Sequence, residues 1–209
     1  MNDFQVDVIT GKGVIIFPGA LIGRIPMAPR GTTTLDYAKI QHEPVILGDD
    51  VIIGANVVIY SGVVIGKGCL IGDGVCIREK VVLGDHCIVG MNTKIGARTT
   101  IGNYTRIMDL SNVASDAKLS DHVFVGPGVI MGNDNSMGRQ TDVGWAGPTI
   151  LDWATIGMNS TILPGVTVNK DALVAAGSVV TRDVLEGVVV MGVPAKKVRN
   201  LREEEKHVR

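Results

Sequence analysis

Hydrophobic positions in this chain recur at every sixth residue. From Leu47 to Met131 each sixth position is aliphatic or Met, fifteen in succession, and ten of them are followed by Gly, as in LGDDVI, IGKGCL and IGARTT. Four places after these aliphatics stand smaller residues, among them Val51, Cys69, Thr93, Ser111 and Ala117. A second run from Ile150 to Val180 repeats the pattern, with Ala154, Ser160, Ala172 and Ser178 as small partners. A period of six fits neither an amphipathic helix nor a half-buried strand. It predicts short strands that turn a corner every six residues. The large aliphatic faces inward, the small residue fits the corner, and Gly, Asn or Asp supplies unusual backbone angles at the bend. Backbone hydrogen bonds then run between successive coils of a solenoid.

Two interruptions break the count. N-terminal repeats are read at Phe4, Thr10, Ile16 and Ile22, and the register has slipped by Leu47. Between them lies a polar excursion near 24–44 carrying Arg24, Arg30, Tyr37 and His42. The second excursion, near 132–148, is rich in Asn, Asp and Gly. Long loops on a regular scaffold commonly carry function. Residues 1–190 therefore form the solenoid. The tail, 191–209, predicts a short helix opened by Pro194 that covers the exposed sheet edge at the end of the stack.

Composition narrows the picture. The chain is 45% hydrophobic but only 4% aromatic, which suits a narrow, regular interior better than a broad globular core. A net charge of −1 without a basic stripe argues against nucleic-acid binding. Cys69, Cys76 and Cys87 show no CxxC spacing and read as reduced, mostly packed thiols. The first residues lack the basic and apolar regions of a signal peptide, and no apolar run is long enough to span a bilayer. A cytoplasmic protein with no membrane partner is expected.

The repeat closely resembles that of the hexapeptide-repeat proteins. This resemblance implies an all-β, left-handed parallel β-helix with triangular coils of three hexads. The segment ATIGMNSTILPGVTVNKDALVAAGSVVTRDV with the following GVPAKKVR resembles the coenzyme A end of the acetyltransferases in that family. It implies acetyl-CoA as acyl donor, held by Met158, Ala176, Thr181, Arg182, Lys196 and Arg199, in a homotrimer with sites between subunits. Arg182, Lys196 and Arg199 offer cations to a polyanionic cofactor.

The acceptor side departs from the sugar O-acetyltransferases of the family, which carry a basic histidine shortly after a PGV stretch. Here PGV is Pro127–Val129 and the matching position is Ser136. Neighbouring Asn133, Asp134 and Asn135 include no good base unless burial raises Asp134. An amine acceptor needs far less base assistance than a hydroxyl. The layout KLSDHVFVGPGVIMGNDN resembles the nucleotide-sugar N-acetyltransferases, with Asp109 nearest the place where they keep an amide or acid. The candidates for proton handling are thus Asp134, Asp109 and His122. Asn133, Asn135, Arg139 and Arg30 are those for holding a nucleotide-linked amino sugar. An O-acetyltransferase of sugar or serine type and a non-catalytic β-helix assembly subunit remain open as alternatives.

His86, Tyr104 and His122 are spaced by 18 and are expected to stack on one corner of successive coils. The γ-class carbonic anhydrases bind zinc on this fold with three histidines, but the third place falls here on Pro127, so no metal is expected.

Overall fold

The computed structural model describes residues 5–27, 41–140 and 144–205. Up to Val180, strands of two to four residues follow one another with a turn between most, and every third strand belongs to the same sheet. Three parallel sheets result, the faces of a triangular prism. Face 1 includes Val64–Ile65 and Val82–Leu83, face 2 Leu70–Ile71 and Ile88–Val89, and face 3 Cys76–Ile77 and Lys94–Ile95. Partners are 18 residues apart, as in Val64↔Val82, Ile88↔Arg106 and Lys94↔Asn112. The period of six anticipates the coil, and the architecture is the left-handed parallel β-helix that the resemblance implies.

In each two-residue strand the second side chain points inward. Ile53, Ile59, Ile77, Ile95, Ile107, Ile150, Ile156 and Ile162 are fully buried. Full burial of such a side chain stabilises the fold by roughly 1.5–3 kcal/mol, so these columns hold the coils together. The small corner residues are buried too, and their polar members have a defined role. Thr93 Oγ1 donates to the Met108 carbonyl at 3.0 Å, Thr99 to Ala114 at 3.0 Å, Thr105 to Ser120 at 2.8 Å and Ser111 to Gly126 at 3.0 Å. Cys69 and Cys87 do the same, to Gly84 at 3.1 Å and Gly102 at 3.0 Å. A buried hydroxyl or thiol thus meets a carbonyl of the next coil instead of being left unsatisfied.

Thr10, Ile16 and Ile22 pair with Leu47, Ile53 and Ile59, so the N-terminal register is as read. Thr10 and Ile16 stay exposed because the first coil has a neighbour on one side only; Phe4 lies outside the described residues. The tail differs from expectation. Lys196–Asn200 is a strand, antiparallel to Val188–Met191, and the helical element seen there is the single 3-10 turn Glu203–Glu205. The edge strand Val188–Met191 presents open N–H and C=O groups, and pairing with them outweighs the modest helix propensity of KKVRN. The turn between the two strands contains a cis Val193–Pro194 peptide. No described helix is long and apolar enough to cross a membrane.

Candidate active site

The prism has three corners, and each has its own chemistry. At the corner between faces 1 and 2 the first turn residue of one coil caps the backbone of the coil before. Asp85 Oδ1 accepts from the Lys67 amide at 3.0 Å, Asn103 from Asp85 at 2.8 Å and Asp121 from Asn103 at 2.7 Å. The second turn residue takes positive φ, and here it is His86, Tyr104, His122 and Trp153. Their rings stack at centroid separations of 5.2, 5.0 and 3.9 Å, within 16° of parallel. The predicted stack exists and extends one ring further. Left-handed backbone costs such residues about 1–3 kcal/mol each, which ring pairs at about 0.5–1.5 kcal/mol partly offset. Tyr104 lies between the two imidazoles, which therefore do not converge on a common point.

The corner between faces 2 and 3 carries Asp109, whose Oδ1 accepts from the Met91 amide at 2.8 Å. Asp109 is one more corner cap. Further along the same corner stand Met158 and Ala176, one directly above the other: the Gly177 amide donates to the Met158 carbonyl at 2.8 Å. Ala176 has no side-chain acceptor, so the Met158 amide lacks the cap that Met91 receives. The turn of the terminal hairpin reaches the same place. Val179 donates to the Gly192 carbonyl at 3.0 Å and Ala195 to that of Val179 at 2.8 Å. Met158, Ala176 and Lys196 are thereby gathered at one end of this corner, all exposed or nearly so. Thr181 and Arg182 follow the face 3 strand Val179–Val180 toward its other edge and are also exposed. Arg199 is otherwise engaged. Its guanidinium makes two hydrogen bonds to Glu205, at 2.5 and 2.7 Å, which hold that carboxyl far below the usual range.

Both long excursions leave the third corner, between faces 3 and 1: the first after Leu21–Arg24, the second after Ile130–Met131. Arg30 and Tyr37 lie outside the described residues. Within the second loop Asp134 accepts from the Ser136 hydroxyl at 2.6 Å, the Ser136 amide at 2.7 Å and the Gly138 amide at 2.8 Å. These bonds hold the Asp134 carboxyl below its ordinary value, the hydrogen bond from Ser136 foremost. This corrects the idea of Asp134 as a base raised by burial: it is only half-buried, ionised and spent on shaping the loop. The loop is pinned to the next coil by Ala146 donating to the Asn133 carbonyl at 3.0 Å and Gly165 to that of Ala146 at 2.8 Å. It walls a cavity of about 370 Å³ lined by Asn133, Asn135, Ser136, Gln140, Ala146 and Pro164. Arg139 is exposed on the loop and does not line it.

Because the depressed Asp134 supports the loop only while ionised, the loop's shape persists through the usual carboxylate range. It is lost as pH falls through the lowered pKa. Asp134→Ala is expected to abolish that acid transition in Trp145 fluorescence, read in a Trp153→Phe background, without lowering the melting temperature of the solenoid.

Asp109, His122 and Asp134 therefore occupy three different corners, and no described cavity joins them. Sequence reasoning missed a second groove of about 370 Å³ on face 3, between the two loop bases, lined by Tyr60, Cys76, Arg78, Lys94, Asn112 and Asn133. Its signal was present: Tyr60 and Arg78, 18 apart, fill the slot after the inward aliphatic where Gly is usual.

The comparisons with known proteins agree with this architecture. A family profile described as a hexapeptide repeat of succinyl-transferase matches residues 152–182, and one described as the GMPPB C-terminal domain matches 36–135. A 2,3,4,5-tetrahydropyridine-2,6-dicarboxylate N-acetyltransferase of Staphylococcus aureus is 51% identical over 59 residues, 28% of this chain and 25% of that protein. The chain thus spans about a quarter of the length of the curated relatives it matches. A hexapeptide-repeat acetyltransferase of Vibrio cholerae, solved with acetyl coenzyme A, is similar with a TM-score of 0.50 and 27% identity, over 63% of this chain and 73% of that one. The UDP-N-acetylglucosamine acyltransferase of Campylobacter jejuni shares the fold, with a TM-score of 0.52 at 18% identity over 88% and 74% of the two chains. Repeat, coil and profiles agree in making the chain a hexapeptide-repeat protein similar to the acyltransferases built on this fold.

Proposed function

We propose that this protein is an acyl-CoA-dependent N-acyltransferase whose acceptor is the amino group of a small anionic molecule, foremost a nucleotide-linked amino sugar. One observation carries the amine reading. Among the described residues, the second-loop cavity is lined by amides, a hydroxyl and apolar groups, with no titratable base. Such a wall can orient an amine that is already nucleophilic, but it cannot deprotonate a sugar hydroxyl. The nitrogen lone pair attacks the thioester carbonyl, the C–S bond breaks, and the departing thiolate can take the surplus proton. The uncapped Met158 amide, with Ala176 and Lys196 beside it, supports placing the donor at the corner between faces 2 and 3. The curated relative is also named an N-acetyltransferase.

The scattering of candidate residues over three corners supports a homotrimer with sites between subunits, since one subunit's loop can then face a neighbour's donor corner. The proposed setting is the cytoplasm, which keeps thiols such as Cys69 and Cys87 reduced.

Coenzyme A release from acetyl-CoA, measured against TDP- and UDP-linked amino sugars and their hydroxyl counterparts, tests the reading. Release is expected with the amine and not with the hydroxyl. Equal turnover of both would return the protein to the O-acetyltransferases.

A further inference from the structure

Face 3 is unlike the other two between the loop bases. Outward strand positions elsewhere are often aliphatic, as at Ile46, Leu70 and Val82. Here three neighbouring coils present Cys76, Lys94 and Asn112 side by side. Tyr60 stands at one end, with two guanidiniums packed on its ring: the central carbons of Arg24 and Arg78 each lie 5.2 Å from its centroid. Arg24 Nη1 also donates to the Tyr60 hydroxyl oxygen at 2.9 Å. Both arginines are tied to one side chain, so their charges are held close together despite repulsion.

The charges do not balance. Arg78 is paired with Glu79 through contacts of 2.8 and 3.0 Å. Lys94 makes no ion pair with any described carboxylate. Three cations therefore serve one groove with one carboxylate at its rim. Their convergence is felt at Cys76: burial pushes its thiol up, while Arg78, Lys94 and Arg24 pull the other way and Glu79 adds to the rise. Asn112 and Asn133 add amide donors, and Asn133 lines the second-loop cavity as well.

We propose that this groove is an anion subsite, in which a phosphate or carboxylate group of the acceptor sits over Cys76 between Lys94 and Arg78, faced by Arg24. Asn133 connects it to the loop cavity, so an acceptor anchored by its anion here extends its amine there. The assignment rests on reading that cavity as the acceptor's. Guanidinium pairs favour planar or tetrahedral oxyanions over chloride. A nucleoside diphosphate and a small dicarboxylate share this chemistry, and the experiment separates them.

The test uses the full chain and the thiol that the groove already contains. Cys69 and Cys87 are buried and Cys76 is half-buried, so N-ethylmaleimide is expected to mark Cys76 first, as located by mass spectrometry. Inorganic pyrophosphate, TDP and pyridine-2,6-dicarboxylate are compared with sodium chloride of equal ionic strength. Pyrophosphate and TDP protecting Cys76 would identify a phosphate source, and dicarboxylate alone a carboxylate source. Lys94→Ala and Arg78→Ala are each expected to raise the half-protecting concentration about tenfold, the loss of one charge-assisted contact. Calorimetric titration of the same anions into the same variants keeps the test independent of thiol reactivity. No protection and no heat with any of the three, or binding indifferent to both substitutions, overturns the proposal. Anion binding without acetyl transfer to any amine would keep the subsite and sink the N-acyltransferase reading. Amine transfer without anion binding would do the reverse.

Discussion

Replacing Ala176 with Asp is expected to weaken acetyl-CoA binding by roughly ten- to a hundredfold while leaving the melting temperature unchanged or higher. The substitution restores what the corner has three coils earlier. Asp109 caps the Met91 amide from the first turn position, and residue 176 holds that same position with respect to Met158. An Asp there would take the Met158 N–H for itself, removing a donor from the ligand. It would also place a negative charge beside a polyanion. Ala176→Asn separates the two effects, since it caps without charge and is expected to cost about tenfold. Calorimetric titration of acetyl-CoA reads both. If neither variant binds more weakly than the parent chain, the corner between faces 2 and 3 does not hold the donor.

Gly102→Ala is expected to be among the damaging one-carbon changes in the solenoid. A Cβ on Gly102 would stand 2.3 Å from Asp121 Oδ1 and 2.6 Å from the Asp121 backbone nitrogen. The coils cannot part to admit it, because the Gly102 amide is bound to the Leu119 carbonyl at 2.8 Å. Cys87 also donates its thiol to the Gly102 carbonyl at 3.0 Å. Overpacking costs about 1–3 kcal/mol, and displacing Asp121 adds the loss of its bond to the Asn103 amide at 2.7 Å. A loss near 3 kcal/mol would lower the melting temperature by about 6–12 °C in a domain of this size. Gly144→Ala is the control: nothing stands within 4 Å of a Cβ there. Equal melting temperatures for the two variants would mean that coil spacing is not what the corner glycines protect.

The inward columns could be read from the chain because a period of six leaves no other face for Leu47, Ile53 and their successors. Even the ring stack followed from a spacing of 18. Trp153 escaped only because the second loop lengthens its coil, so the count from His122 runs to 31. The separation of Asp109 from His122 was also legible, since 13 residues are two hexads and one, which changes the corner. What the chain concealed was partnership. Asp109 and Asp134 look like available carboxylates in sequence, but one caps a backbone amide and the other folds its own loop. Lys196–Arg199 reads as helix by propensity, and its strand is dictated by an edge that exists only in three dimensions. Of the groove on face 3 the chain showed only the Tyr60 and Arg78 slots, because Arg24 and Tyr60 are 36 residues apart and meet only when coils stack.

Across the second loop the scaffold behaves as though nothing had been inserted. Leu119 pairs with Ile150 in the register that joins every other coil, and Asp152 still caps the Asp121 amide at 3.2 Å. The corner between faces 3 and 1 is thus a port, at which chain can be added or exchanged without altering the stack on either side. Loop chemistry and folding are then separately heritable. A lineage of such proteins can trade the segment between Met131 and Thr149 for another of different length and chemistry, keeping the same corners and the same core.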